Sequence, residues 1–403
     1  MNSNPLIKEK TVSKATRPAF PEAPLSPFIE QGIAVQRLSR DLATAAARLS
    51  ENEARFLVDY YYICQDDRMR FLGQVRAMTQ SQESTMVLDW LGAQAETMEG
   101  QVKRALDKYT DAHPIGQWIK SLYGFGPVLA AGIIAHIDIE KAPTAGHIWS
   151  YAGLVDGKEW ISSADAARWV KENGLDVELA ARVFNRNPAN LRAMASQDRE
   201  GEDIEMTAKS LAAAIARRPW NAALKKLCFK IGECMVKFAG NEQCYYGHVF
   251  RDRRLYEWEN NLTGVLAQKA INDQGKYSTN TESYGWVMGM YHPEDVRALR
   301  KKLGSEGSIP PDELKKIRRK AGEGVPMLPP AQIHARARRY AVKLFLSHLH
   351  TVWYETHFKR RPPNPFVIEH MGHVHYIQVP NYESPYVGQM PSAVFKIRRD
   401  RTQ

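Results

Sequence analysis

The sequence predicts a mainly α-helical protein: a long N-terminal helical hairpin or coiled coil followed by a helical domain that contains a helix-hairpin-helix. Three observations predict it. Before residue 112, apolar residues recur at alternating spacings of three and four. Two later segments, "WNAALKKLCFKIGECMVKF" and "AQIHARARRYAVKLFLSHLHTVWYETHF", keep a helical period, and "LYGFGPVLAAGIIAHI" sets a glycine turn between two helical patterns. With 403 residues, 44% of them hydrophobic, the chain is long enough for two or three domains with cores of their own.

Residues 1–28 are polar and proline-rich and are expected to form a disordered leader. Residues 29–112 carry two stripes. Val35, Leu38, Leu42, Ala45 and Leu49 form the first, read as one face of a long helix. Leu88, Leu91, Ala95, Met98, Val102 and Ala105 form the second, between polar positions such as Glu96, Glu99 and Lys103. Narrow stripes of this kind are satisfied by an antiparallel hairpin in a plain bundle or by a dimerising coiled coil, so a homo-oligomer is expected.

Residues 113–290 form the domain built round the glycine turn, with an alanine-rich, charged helical insertion at 163–216. The strong helix after it would bury Leu224, Leu227, Cys228, Ile231, Met235 and Phe238. Residues 291–330 ("RKKLGSEGSIPPDELKKIRRKAGEGVPMLPP" in their greater part) read as a basic Gly/Pro linker carrying a short helix. Residues 331–403 give a last helix, with Tyr340, Ala341, Leu344, Phe345, Leu349, Val352 and Trp353 facing the core. A tail follows whose alternation suggests a short strand or hairpin.

The formal net charge of +10 and a pI near 9.3 favour a polyanionic partner, since each cation placed on a phosphate releases condensed counterions. Four cysteines without a C-x-x-C pair indicate neither a disulfide framework nor a zinc ribbon, which fits a reducing cytosol. No segment supplies the roughly 20 uninterrupted apolar residues of a membrane span. There is no Walker loop and no Rossmann fingerprint, so no cofactor is expected.

The glycine turn carries the chemistry. Glycine can take backbone angles closed to other residues, and Pro127 suits a first helical position because its missing N–H would be unpaired there anyway. Unpaired amides of the turn and of the next helix's first turn, beside the positive end of its dipole, make a phosphate site. The stretch of Gly124, Phe125, Gly126, Pro127 and Val128 is therefore expected to hold nucleic acid through the backbone N–H groups it has, with Lys120 adding charge nearby. Such a module grips backbone without reading bases. The alternative is an ordinary tight helical turn. The clusters Lys315, Lys316, Arg318, Arg319, Lys320 and Arg336, Arg338, Arg339 are either solvated faces or further tracks for phosphates.

The run "LYGFGPVLAAGIIAHIDIEKAPTAGHIWSYAGL", closing on Tyr151, Ala152, Gly153 and Leu154, resembles the C-terminal domain of the insertion-sequence 110/116/902 transposases. The specific match covers about 101–154; later helices follow the family in order and pattern only. The resemblance implies a protein that binds DNA, in transposition or recombination of a mobile element or phage. Those transposases pair this domain with an N-terminal RuvC-like nuclease domain, for which no strand-acid-turn pattern precedes residue 120. They use a serine shortly after the Ala-Gly-Leu as a nucleophile, which on this chain points to Ser162 and Ser163 in "VDGKEWISSADAARW"; the same two serines suit a helix cap. The family works with a structured guide RNA, so an RNA partner stays open, as does a non-catalytic helical scaffold.

Within the insertion, "LDVELAARVFNRNPANLRAMA" has helix-turn-helix spacing, with Ala181 at the crossing and Asn185 in the turn. Asn187, Asn190 and Arg192 would face a major groove. His370, His373 and His375 suggest a metal site only weakly, because their alternating context suits a strand and no cysteine lies near. No metal is expected.

Overall fold

Ser50 and Glu53 decide where the first long helix begins. The Ser50 hydroxyl and N–H both donate to the Glu53 carboxylate at 2.8 Å, and the Glu53 N–H donates back to the Ser50 hydroxyl. This is a capping box. The computed structural model, which describes residues 38–155, 160–197, 202–304, 309–363 and 377–386, accordingly holds three helices in the described part of 29–112, where the two stripes predicted two. Helix α1 (Arg40–Ala46) stops, and α2 (Glu51–Gln80) starts afresh. Leu42 is exposed on α1, and Ala46 is the residue it buries. The second stripe falls as read: α3 (Met86–Ala112) buries Val102 and Ala105 and half-buries Leu88, Leu91, Ala95 and Met98. Glu99, read as a polar surface position, is buried, because Arg68 donates to it at 2.6 Å.

The chain forms two units. The described residues of the first are 38–39 and 62–101. Within it the α2 and α3 segments lie side by side: Arg68 meets Glu99, and a Cβ on Gly92 would lie 3.4 Å from Phe71.

The second unit, residues 40–61 and from 102 onward, contains the remaining helices. These are α4 (Gly116–Ser121), α5 (Pro127–His136), α6 (Ala145–Tyr151), α7 (Ser163–Asn173), α8 (Val177–Val183), α9 (Pro188–Ala195), α10 (Ala208–Ala216), α11 (Ala222–Lys237), α12 (Tyr245–Leu262), α13 (Ala267–Asn272), α14 (Glu282–Val287), α15 (Pro293–Leu303), α16 (Pro311–Lys316) and α17 (Pro330–Phe358). The fold is mainly helical. No strand occurs among the described residues, only an isolated bridge between Gln197 and Asp203. Nor is any helix there long and apolar enough to cross a membrane.

Helix α17 is the centre of this unit. From Ala341 to Glu355 it buries residues on all sides, the mark of a core helix, and α6, α11 and α12 pack on it. Gly232 lets α11 approach closely, since a Cβ there would fall 2.6 Å from Arg338 Cγ. Helix α5 buries seven of its ten residues. Its Gly132 faces Leu227 of α11 at 2.8 Å from an added Cβ.

The insertion at 163–216 has a core of its own, in which Ala166, Val170, Ala180, Leu191, Leu211 and Ile215 meet. Residues 291–330 are not a linker. They contain α15 and α16, and backbone bonds tie their end to α14 and the segment after it: Gly324 N–H to Gly289 O (2.8 Å), Val325 N–H to Tyr291 O (3.1 Å) and Met327 N–H to Trp286 O (3.0 Å). A Cβ on Gly324 would lie 2.2 Å from Tyr291 O, so glycine here marks a close backbone approach rather than a flexible joint. Met327 and Leu328 then enter a core with Trp258, Trp286 and Ile333. In the tail, residues 377–386 are irregular, and His370, His373 and His375 lie outside the described residues.

Candidate nucleic-acid interface

The site begins as a turn. The Phe125 N–H donates to Leu122 O at 3.0 Å, and Gly124, third of these four residues, has φ of 91°. That is the arrangement of a type II turn, which needs a left-handed residue at this place. Space requires glycine too: a Cβ would lie 3.1 Å from both Cys234 Sγ and Phe238. Gly126 is different. Its φ of −94° and ψ of 175° are open to any residue, and an added Cβ would meet nothing within 4 Å. The expectation that both glycines supply forbidden angles is corrected at Gly126, which serves as the N-cap of α5 without a side-chain cap.

Residues far along the chain hold the turn. Cys234 Sγ donates to Gly124 O at 2.8 Å and Cys244 Sγ to Tyr123 O at 3.8 Å, while Asn241 Nδ2 donates to the Tyr123 hydroxyl at 2.9 Å. Burial pushes the Cys234 thiol up to about 11, so it stays protonated and can donate. Because a trans peptide sets N–H and C=O in opposite directions, the carbonyl of Tyr123 facing Cys244 turns the Gly124 N–H the other way. Phe125 anchors the turn from below, its ring 4.7 Å from that of Phe345 in α17. Val128, Ala130, Ala131, Ile133 and Ile134 are buried as the sequence predicted.

What remains without a partner is a run of amides. Among the described residues, the N–H groups of Gly124, Gly126, Val128 and Leu129 meet no protein acceptor; the first bond of α5 is Ala130 N–H to Gly126 O. Phe125 N–H is taken up by the turn, and Pro127 has none. Beside this row lies a cleft of about 590 Å³ lined by residues 120–126, Gln243 and Asn381. Asn381 donates to Ser121 O at 2.9 Å, which closes one wall.

The charged residues predicted for the site have other partners. Lys120 Nζ lies between Asp107 (2.8 Å) and Asp111. Burial pulls its pKa down, but the bonds and charges of the two carboxylates hold it above the ordinary lysine value. Its charge is thus neutralised within the protein. Arg336 Nε donates to the buried Glu257 at 2.6 Å, Arg338 bonds Glu233 and lies over the Phe229 ring at 4.2 Å, and Arg339 is exposed. The three therefore form no common phosphate track. Lys315, Lys316 and Arg319 likewise pair with Asp312, Glu313 and Asp295.

Ser162 is the N-cap of α7. Its hydroxyl accepts from Asp165 N–H at 3.1 Å and donates to Asp165 Oδ2 at 2.6 Å. Ser163 is the exposed first residue of that helix. Neither has an imidazole as hydrogen-bond partner among the described residues. In the helix-turn-helix segment, Asn185 takes φ of 48° in the turn between α8 and α9 and Ala181 is buried at the crossing. Asn187, however, caps α9, and Arg192 pairs with Glu178 at 2.9 Å. Over 163–216, nine carboxylates stand against seven cations, so this module lacks the positive field that duplex binding uses.

Among the described residues, no group of three or more His, Cys, Asp or Glu side chains could hold a metal ion. Comparison with family models, with curated proteins and with solved structures gives no match for this chain.

Proposed function

We propose that this protein binds DNA through the α4–α5 hairpin, holding phosphates on backbone amides without reading bases, and acts in transposition or recombination of a mobile element or phage. The observation that carries the binding step is the run of unpaired amides at Gly124, Gly126, Val128 and Leu129, the first two in residues that line a cleft and the last two in the first turn of α5, at its positive end. The role in a mobile element rests on the resemblance of the run ending at Tyr151–Leu154. A homo-oligomer formed through the N-terminal helices belongs to the same reading.

Fluorescence anisotropy with a labelled duplex across a salt series tests it. Binding should weaken with salt by about 0.9 log units per log unit for each phosphate held, and equally for unrelated sequences. Salt-insensitive or absent binding would sink the proposal and leave a helical scaffold. A strand-transfer assay comparing wild type with Ser162→Ala plus Ser163→Ala then separates a nucleophile from a helix cap.

A further inference from the structure

Lys120, Arg336 and Arg338 each have a carboxylate beside them; Arg218 and Lys225 do not. Neither makes an ion pair among the described residues, and both are exposed. Each lies instead over an indole. The Arg218 guanidinium is 5.1 Å from the ring centre of Trp160, and Lys225 Nζ is 3.9 Å from that of Trp220. Three separate stretches meet here. Gly153, from the Tyr-Ala-Gly-Leu run, makes room for Trp220: its φ is 66°, and a Cβ would lie 2.7 Å from Trp220 Cγ. Asn221 holds Tyr151 twice at 2.8 Å, backbone N–H to carbonyl and side-chain amide to hydroxyl. Trp160 is pinned by its indole N–H on Ala216 O at 2.8 Å.

The rings are thus fixed but open. Trp160 remains 47% exposed and Tyr151 45%. The cations crowd one another: burial lowers the Lys225 pKa, and Arg339 and Arg218 lower it further by repulsion. An anion beside them would relieve that repulsion. Fixed, exposed aromatic faces interleaved with cations suit bases that can stack, which a duplex keeps covered.

We propose that this surface holds an unpaired DNA strand, with bases stacked on Trp160 and Tyr151 and phosphates against Arg218 and Lys225. The choice of DNA rests on the function proposed above. The surface makes the preferred substrate one with an unpaired segment beside a duplex, the hairpin holding the latter.

The test uses the full chain and fluorescence anisotropy with oligo(dT) of about 12 nucleotides, a duplex of equal length, and oligo(rU). Trp160→Ala should weaken oligo(dT) binding about tenfold while Trp160→Phe restores most of it, and duplex affinity should hold. Lys225→Gln, with a thermal melt to check that the fold is kept, should lower oligo(dT) affinity and reduce its salt slope by about 0.7. Unchanged oligo(dT) binding in both variants, equal losses on duplex and single strand, or tighter wild-type binding to oligo(rU) would overturn the proposal. Duplex binding without single-strand binding would overturn this inference alone. Binding of neither would overturn the DNA-binding reading as well.

Discussion

Replacing Gly126 with aspartate should separate the site from the fold. Gly126 is the uncapped N-cap of α5, its backbone is extended, and an added Cβ meets nothing within 4 Å. An aspartate there can accept the Val128 or Leu129 N–H itself. Relative to glycine such a cap adds a few tenths of a kcal/mol, and a negative charge at a helix N-terminus about 0.3–1 kcal/mol more. The folded protein should be as stable as wild type or slightly more so.

DNA binding should move the other way. The carboxylate occupies an amide that a phosphate would use, worth about 1.5–3 kcal/mol for a hydrogen bond to a charged group. It also repels that phosphate by about 1 kcal/mol at 4 Å in water. A net loss of about 2.5–4 kcal/mol raises the duplex Kd roughly 60- to 700-fold. Gly126→Ala, with no acceptor, should bind nearly as wild type. Anisotropy titrations beside thermal melts read both quantities. Wild-type affinity in Gly126→Asp would refute the reasoning, because the amides at the head of α5 would then not be the phosphate site.

Three further outcomes are expected. Gly124→Ala should destabilise by about 1–3 kcal/mol in urea unfolding, since φ of 91° strains an L residue and its Cβ presses on Cys234 and Phe238. Ser162→Ala should cost about 1 kcal/mol through the lost α7 cap and leave duplex affinity alone; a selective loss of binding would show that the hydroxyl does more. Burial lowers the His348 pKa to about 4, so between roughly pH 6.5 and that value the unfolded chain binds a proton which the folded protein refuses. Stability should therefore be complete above pH 6.5 and fall by about 1.4 kcal/mol per unit below it, more steeply if the lowered His113, His136 and His350 add to the effect, and His348→Gln should flatten the profile.

Local pattern made α5 and its turn legible: the apolar run from Val128 to Ile134, Pro127 at the first position and a glycine at 124 are neighbours in sequence and act on neighbours. The errors came from partners at a distance or from composition read too simply. Lys120 looked like a free cation because nothing in the sequence shows that Asp107 and Asp111 reach it across a helix end. The Gly/Pro content of 291–330 suggested a linker, whereas Gly324 is small because Tyr291 O approaches it. The stripe from Val35 to Leu49 stops just short of a separate helix start at Ser50 and Glu53 that apolar spacing does not mark, although Ser-x-x-Glu is itself a helix-start signal. The thiols of Cys234 and Cys244 that fix the turn, and the meeting of Gly153 with Trp220, join residues about 70 to 120 positions apart, beyond the reach of any periodicity.

The central claim rests on amide groups at the hairpin, and the two that belong to glycines can be watched directly. The chain has 26 glycines, so protein labelled only with 15N-glycine gives a sparse amide spectrum, in which loss of a peak in Gly126→Ala assigns Gly126 and loss in Gly124→Ala assigns Gly124. Titration with a short duplex should move both resonances downfield in a saturable, salt-sensitive way. Shifts confined to other glycines, with these two unmoved at saturation, would contradict the account.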